Sequence, residues 1–529
     1  MLPITEVTER SMSRLSLLAS AVSVALCGSG AAMAASIDWP TYGFTSLRSN
    51  YNPSETAITP ATVTGLTPLW SFNAKAFDTS IGTSINPNGD TLGGQPIVAA
   101  NVTTASGTTD LVLIGDNSGT FFALDANTTT ATGSVIWYRS LGTTAVGAPV
   151  NKAYGIRSTA ALDHSGTGTV YVGDATQVYG LALTTGAILP GWPVSTVAAG
   201  APSTDGFMHD ALNFVDKYVV VGTSGVGIDQ PPYYAKVAFI STSLHKVVAS
   251  WYPMTGNDTL PTVSGGGIWG WGGIAIETGD KAGGIYVATG NAVGTPLQQV
   301  DDAENIVNLN TKNLKLVGAA TPTFAAQGDD DYGSTPLVFT PQGCGTKLVA
   351  VKSKTGMMVV DTVAADGSLA VGQTLTVTTP GGTDFKGTAA WDPVDQLVLV
   401  TNDQAGPAPY GAGLVAFHAA CTAPYLSFAW QTISQNGTPI MVNGGQISSP
   451  TVINGLAFFG AEDLAGDARS VVYAVLTAPV GSQPAGTIVW TSKLITGTFD
   501  SALPTVVNGK LLFSTVSTQP TLYAFGLPD

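Results

Sequence analysis

Eight short β-branched runs recur along the chain and set what it can fold into. They are LVLIGD from Leu111, VYVGD from Val170, VVVGT from Val219, IYVATG from Ile285, LVAVKS from Leu348, LVLVTN from Leu397, LAFFGA from Leu456 and LLFSTV from Leu511. Several are followed by an Ala- or Val-containing strand, a turn and a strand ending on tryptophan, as in FFALDANTTTATGSVIWYRS, VYGLALTTGAILPGWPV and LVAFHAACTAPYLSFAWQT. The spacing is that of one four-stranded unit and lacks helical periodicity. One such unit cannot bury both faces alone, so the units must stack around an axis. The expectation is an all-β, eight-bladed β-propeller of four-stranded antiparallel blades, forming a single domain over residues 35–529. After LLFSTV only one strand, TLYAFGL, remains, so the last blade lacks its outer strand. LTPLWSF, from Leu66 to Phe72, can supply it, and the N- and C-terminal strands then close the ring.

The amino terminus reads as a leader. Arg10 and Arg14 precede the apolar run LSLLASAVSVALC, and Ala32-Met33-Ala34 gives a small-residue cleavage pattern. Residues 1–34 are expected to be a signal peptide, with Met12 as a candidate start; the apolar run is shorter than the roughly 20 residues a spanning helix needs. The expected location is periplasmic, outer-membrane-associated or extracellular, with no integral membrane segment after cleavage. Cys344 and Cys421 then remain in an oxidising compartment, where a disulfide is the leading reading and a metal site from two cysteines is disfavoured.

Charge narrows the partners. Asp, Glu, Lys and Arg make 10% of the chain, against roughly 25% in a typical soluble domain. Hydrophobic residues at 44% exclude disorder as the reason. An acidic environment is one explanation: protonation neutralises the 35 carboxylates and leaves 20 lysines and arginines repelling one another, so few cations limit the penalty. Replacement of charges by Thr, Gly and Ala on a secreted β surface is the other. A net charge of −15 without a basic cluster excludes nucleic acid as a natural partner.

One stretch is unlike the rest: SGGGIWGWGGIAIETGDKAGGIYVATGNA, from Ser264 to Ala292, sets Trp269 and Trp271 among glycines and ends a strand on Asn291. Indoles beside bare backbone suit stacking on a flat ligand. They suit filling a propeller axis equally.

With these residues in place the chain resembles the pyrroloquinoline quinone (PQQ) dehydrogenase-like propellers over nearly all of residues 35–529. DWPTYGFTSLRSNYNPSETAITPATVTGLTPLWSF looks like the usual opening of that superfamily. The resemblance implies a quinone floor at GGGIWGW and a calcium-directed Asn291 in ATGN. It likewise implies a cationic contact from Arg157 in GIRSTAALD, a cofactor-facing Lys354 in VKSKTGMMVVD, and a site element at Asp329, Asp330 and Asp331 in GDDDYGSTP. The departures are as informative. The segment expected to carry a calcium-binding glutamate reads GTSGVGIDQ, with only Asp229 nearby, and calcium wants several oxygens. No vicinal cysteine pair exists, His209 stands in FMHDALNF where a threonine is usual, and Asp301 and Asp302 fit the catalytic-aspartate position poorly.

Two activities follow from this resemblance. A PQQ-dependent alcohol or polymer dehydrogenase would need both quinone and calcium. The secreted tetrathionate hydrolases of acidophilic sulfur oxidisers are propellers of the same kind, and the chain looks like them in length, leader, low charge and incomplete cofactor motifs. No cofactor is firmly expected in that case. A small anionic substrate would be held by Arg157, Lys354 and protonated His209, with Trp269, Trp271 and Asn291 lining the site. One of Asp329 to Asp331 would serve as general acid/base, Asp331 first, because adjacent carboxylates raise one another's pKa. A non-catalytic assembly propeller is the third class, and self-association is left open.

Overall fold

A computed structural model describes residues 35–528 except 87–90, 147–151, 203, 227–230, 280–282, 294–300, 323–330, 380–386, 434–446, 463–468 and 500–502. The leader, Asp229, Asp329 and Asp330 lie outside the described residues.

Residues 36–529 form one compact unit, an eight-bladed propeller of four-stranded antiparallel sheets, one of which carries an extra short strand. From blade 1 to blade 8 the innermost strands are Ile97–Thr104, Ala161–Asp163, Asn213–Val215, Ala275–Ile276, Leu337–Phe339, Ala390–Asp392, Thr451–Ile453 and Thr505–Val507. The β-branched runs of the sequence form the second strands. Leu397–Asn402 is buried at every position, because neighbouring blades cover both its faces. Outer strands such as Val135–Ser140 mix buried and exposed residues.

The tryptophans that end outer strands tie blades together. Trp137 of blade 1 donates to the Leu183 carbonyl beyond the third strand of blade 2 at 2.9 Å, and Trp490 of blade 7 donates to the Leu66 carbonyl at 3.2 Å. Trp70, in blade 8, donates to Ala126 after the third strand of blade 1 at 3.4 Å. Thr67–Asn73 completes blade 8 by pairing with Thr521–Gly526, so the two ends of the chain close the ring. Among the described residues no helix is long and apolar enough to cross a membrane.

Cys344, between the first two strands of blade 5, is bonded to Cys421, after the third strand of blade 6, with Cα atoms 5.2 Å apart. The bond closes a loop with a sequence separation of 77, for which chain entropy gives about 4.5 kcal/mol. Reduction is expected to lower the unfolding free energy by that order, seen as an earlier denaturant midpoint. An unchanged midpoint would show that the bond adds no stability.

Before the first blade, the strap Trp39–Asn52 visits the innermost strands in order. Trp39 exchanges backbone hydrogen bonds with Val98, Pro40 accepts from Leu162, and Thr41 Oγ1 donates to Leu212, just before the blade 3 strand. Ser46 then pairs with Ile276, Leu47 packs on the cluster containing Val338, and Ser49 accepts from Trp391. Asn50 accepts from Val452, and Asn52 Nδ2 donates to Val506. One segment therefore touches all eight blades around the axis, satisfying inner-edge groups that would otherwise lie unpaired against it.

Candidate functional site

In each blade the chain arrives at the axis just before the innermost strand. Arg157, His209, Trp271 and Asp331 occupy this position in blades 2, 3, 4 and 5. They share one axial end, and the strap, which bonds within or directly before the innermost strands, lies beneath them.

A continuous set of contacts runs across this mouth. The Arg157 guanidinium lies over the Trp271 ring, 5.5 Å from its centroid. The Trp271 carbonyl accepts from Ala211 N–H at 2.9 Å, two residues past His209. The His209 ring lies 6.0 Å from Trp269, and its Nε2 is 3.3 Å from the Gly225 carbonyl oxygen. Asp331 Oδ1 accepts from the Asn291 N–H at 2.6 Å, and Lys354 Nζ stands 3.8 Å from Asp331 Oδ2. Lys354 also donates its backbone N–H to the Asp331 carbonyl at 2.9 Å. Gly290 joins the indole to the carboxylate: a Cβ there would sit 2.5 Å from Asp331 Oδ1 and 2.8 Å from Trp269 Nε1, so a side chain is excluded. Asp331 is 2% exposed, whereas the Lys354 side chain keeps 26% of its surface in solvent.

Trp269 and Trp271 are buried, so most of their surface is already packed. Asp302 braces the Thr289-Gly290-Asn291 strand end through its carbonyl, which accepts from Thr289 Oγ1 at 2.6 Å. Burial pushes its carboxyl above the usual range. Asp301, beside it, is exposed. Residues not singled out from the sequence complete an aromatic arc. Tyr154 lies 4.8 Å from Phe207, Phe207 lies 4.9 Å from His209, and Tyr233 meets Trp269 edge-on at 6.3 Å. Phe207 shares the His209 loop, whereas Tyr154 and Tyr233 come from other segments that nothing in the local sequence links to it. Chemically the mouth offers two cations at its ends, aromatic walls and one carboxylate held by a cation and an N–H.

No protein-family model matches the chain, and no curated protein matches it. Among solved structures it is similar to a europium-containing methanol dehydrogenase, at 15% identity and a TM-score of 0.59, covering 93% of this chain and 98% of that one. It is also similar to Saccharomyces cerevisiae Sqt1, at 9% identity and a TM-score of 0.49, covering 84% of this chain and 98% of that one. The likeness to the methanol dehydrogenase shows the propeller fold.

A quinone with calcium needs several oxygen ligands gathered at the mouth. Asn291 Oδ1 is buried with no hydrogen-bond partner among the described residues, as a metal-directed oxygen would be. Beyond it, Asp331 supplies one carboxylate, and no group of three or more His, Cys, Asp or Glu that could hold a metal occurs among the described residues. Calcium takes roughly six to eight oxygens. The two cysteines among the described residues are spent on a bond between blades 5 and 6, and the His209 ring flanks Trp269. The described residues do not assemble a calcium-quinone site.

Proposed function

We propose that the protein is a secreted, acid-adapted hydrolase of a sulfur oxyanion of the tetrathionate type, acting at the mouth without quinone. The observation that carries this reading is the Asp331 carboxylate, held by the Asn291 N–H and Lys354, beside aromatic walls that lead to Arg157. Tetrathionate is a chain of four sulfurs with a sulfonate at each end. Its soft sulfur chain suits the rings of His209 and Trp269, and its terminal charges suit Arg157 and Lys354 through charge-assisted hydrogen bonds.

In the proposed reaction water attacks a sulfonate sulfur, forming the new S–O bond of sulfate. The adjacent S–S bond breaks, and its electron pair leaves on the remaining three-sulfur anion. Two protons are released, the first taken from water by Asp331. Lys354 and the Asn291 N–H are partners that an ionised carboxylate strengthens.

The likeness to a methanol dehydrogenase propeller, with Trp269, Trp271 and Asn291 in place, favours a quinoprotein dehydrogenase as the second reading. Purified protein should consume tetrathionate at acid pH and carry no quinone absorbance. Reduction of a dye by alcohols together with bound quinone would replace this reading with the second. Arg157→Gln removes a binding charge far from the Asp331 carboxylate in the contact chain. It is expected to raise KM by about 10-fold or more with kcat changed little, as steady-state kinetics would show; an equal fall in kcat would move Arg157 into the chemical step.

A further inference from the structure

We infer that Arg48, on the N-terminal strap, is a positioning residue for the mouth, holding in register the two loops that carry His209, Trp269 and Trp271. Arg48 is completely buried. Its Nε donates to the Ile274 carbonyl at 3.2 Å, at the end of the indole loop. One terminal nitrogen donates to Thr41 Oγ1 at 2.7 Å and to the Tyr42 carbonyl at 2.9 Å, inside the strap. The other donates to Leu212 at 3.1 Å and Ala211 at 3.4 Å, in the loop that carries His209. One guanidinium thus collects carbonyls from the strap and from both loops.

The loops also meet directly, through Ala211 N–H and the Trp271 carbonyl at 2.9 Å. Asp210 lies between them, fully packed. Its Oδ2 accepts from Gly222 N–H at 3.1 Å, and Gly273, at φ 65°, approaches so closely that a Cβ would overlap the carboxylate. A buried guanidinium needs a saturated donor set, and the strap and loop carbonyls with the Thr41 hydroxyl supply it. Burial, the larger effect, lowers the Arg48 pKa to about 9 and holds the Asp210 carboxyl well above the usual carboxylate range, with their mutual attraction opposing both shifts.

Arginine is required because five N–H groups in a rigid fork reach both loops at once. A lysine ammonium is a single point with three donors and would leave carbonyls of one loop without a donor. The expected consequence is a shift of Trp269, Trp271 and His209 relative to Asp331. Misplacement of that size costs about 100-fold in rate.

The kinetic half of the test rests on the proposed hydrolase activity, whereas the spectroscopic half does not. The full chain, with 10 tryptophans, is labelled with 5-fluorotryptophan, and Trp269→Phe and Trp271→Phe assign those two resonances. In Arg48→Lys the two resonances should move while the rest hold, and kcat/KM for tetrathionate should fall about 100-fold with the pH profile retained. Arg48→Gln, which loses the fork that spans both loops, should move the same pair and serves if Arg48→Lys does not fold. Unmoved Trp269 and Trp271 resonances, with only a lower melting temperature, would overturn the inference and leave Arg48 as a fold staple. If the wild-type chain consumes no tetrathionate, the proposed function falls, and the fluorine spectra alone decide the role of Arg48.

Discussion

Raising the pH from about 4 to about 8 is expected to destabilise the folded protein, the reverse of the ordinary behaviour of a chain whose carboxylates are salt-bridged. Asp361 is the principal cause. It sits in the third strand of blade 5, fully buried and with neither carboxylate oxygen hydrogen-bonded among the described residues. Val359 and Val363, on the same face, belong to the cluster with Tyr286, Ile306 and Tyr332. Burial raises its pKa from 3.8 to about 7. Between those values the folded state keeps a proton that the unfolded chain gives up, so each step up in pH favours unfolding. The stabilisation is complete below about pH 4 and is lost by about pH 7, and the loss amounts to about 4 kcal/mol.

Other groups add in the same direction. Burial lifts Asp174 to about 6, despite N–H donors from Thr176 and Gln177. Burial also raises the carboxyl of Asp78, which is fully buried and has no hydrogen-bond partner on either oxygen among the described residues. Against a typical stability of about 5 to 15 kcal/mol, the effect is large. Melting temperature measured from pH 3 to 9 should be highest in acid and fall through neutrality. Asp361→Asn should match wild type near pH 4 and exceed it near pH 8. A wild-type melting temperature that is flat or rises toward pH 8 would show that Asp361 does not titrate in the folded state as described.

The second large effect is on chemistry. Asp331→Asn keeps the size of the side chain and an oxygen that can accept from the Asn291 N–H, but it cannot take a proton from water. Activity on tetrathionate should fall by about 100- to 10,000-fold, with circular dichroism and melting temperature at pH 4 close to wild type. Lys354→Met should lower activity less, since it removes a partner at 3.8 Å rather than the proton acceptor. Full activity in Asp331→Asn would remove Asp331 from the mechanism.

The ring itself was legible because its second strands are continuous apolar runs, and because TLYAFGL leaves a blade one strand short that LTPLWSF can fill. Blade number and closure follow from these two features. The route of the strap was not legible. DWPTYGFTSLRSNYN meets the successive blades at steps of one to five residues and so carries no period of its own. Asp361 was hidden for a related reason, since an aspartate closing the run GMMVVD looks like a turn residue until the neighbouring blade covers it. Of the site, Arg157, His209, Trp269, Trp271, Asn291, Asp331 and Lys354 could be named from motifs, and the structure places them along one mouth. Tyr154 and Tyr233 could not be named, because their proximity depends on separate loops, and Phe207, two residues before His209, belongs to no motif of its own.

The most direct measurement is ion chromatography of tetrathionate and its sulfur products after incubation at about pH 4 with protein purified without added quinone or metal, alongside an absorbance spectrum of the same sample. The account predicts loss of tetrathionate with release of sulfate and acid, in a sample free of quinone absorbance, and no turnover by Asp331→Asn. Intact tetrathionate, together with alcohol-dependent dye reduction once PQQ and calcium are supplied, would contradict it.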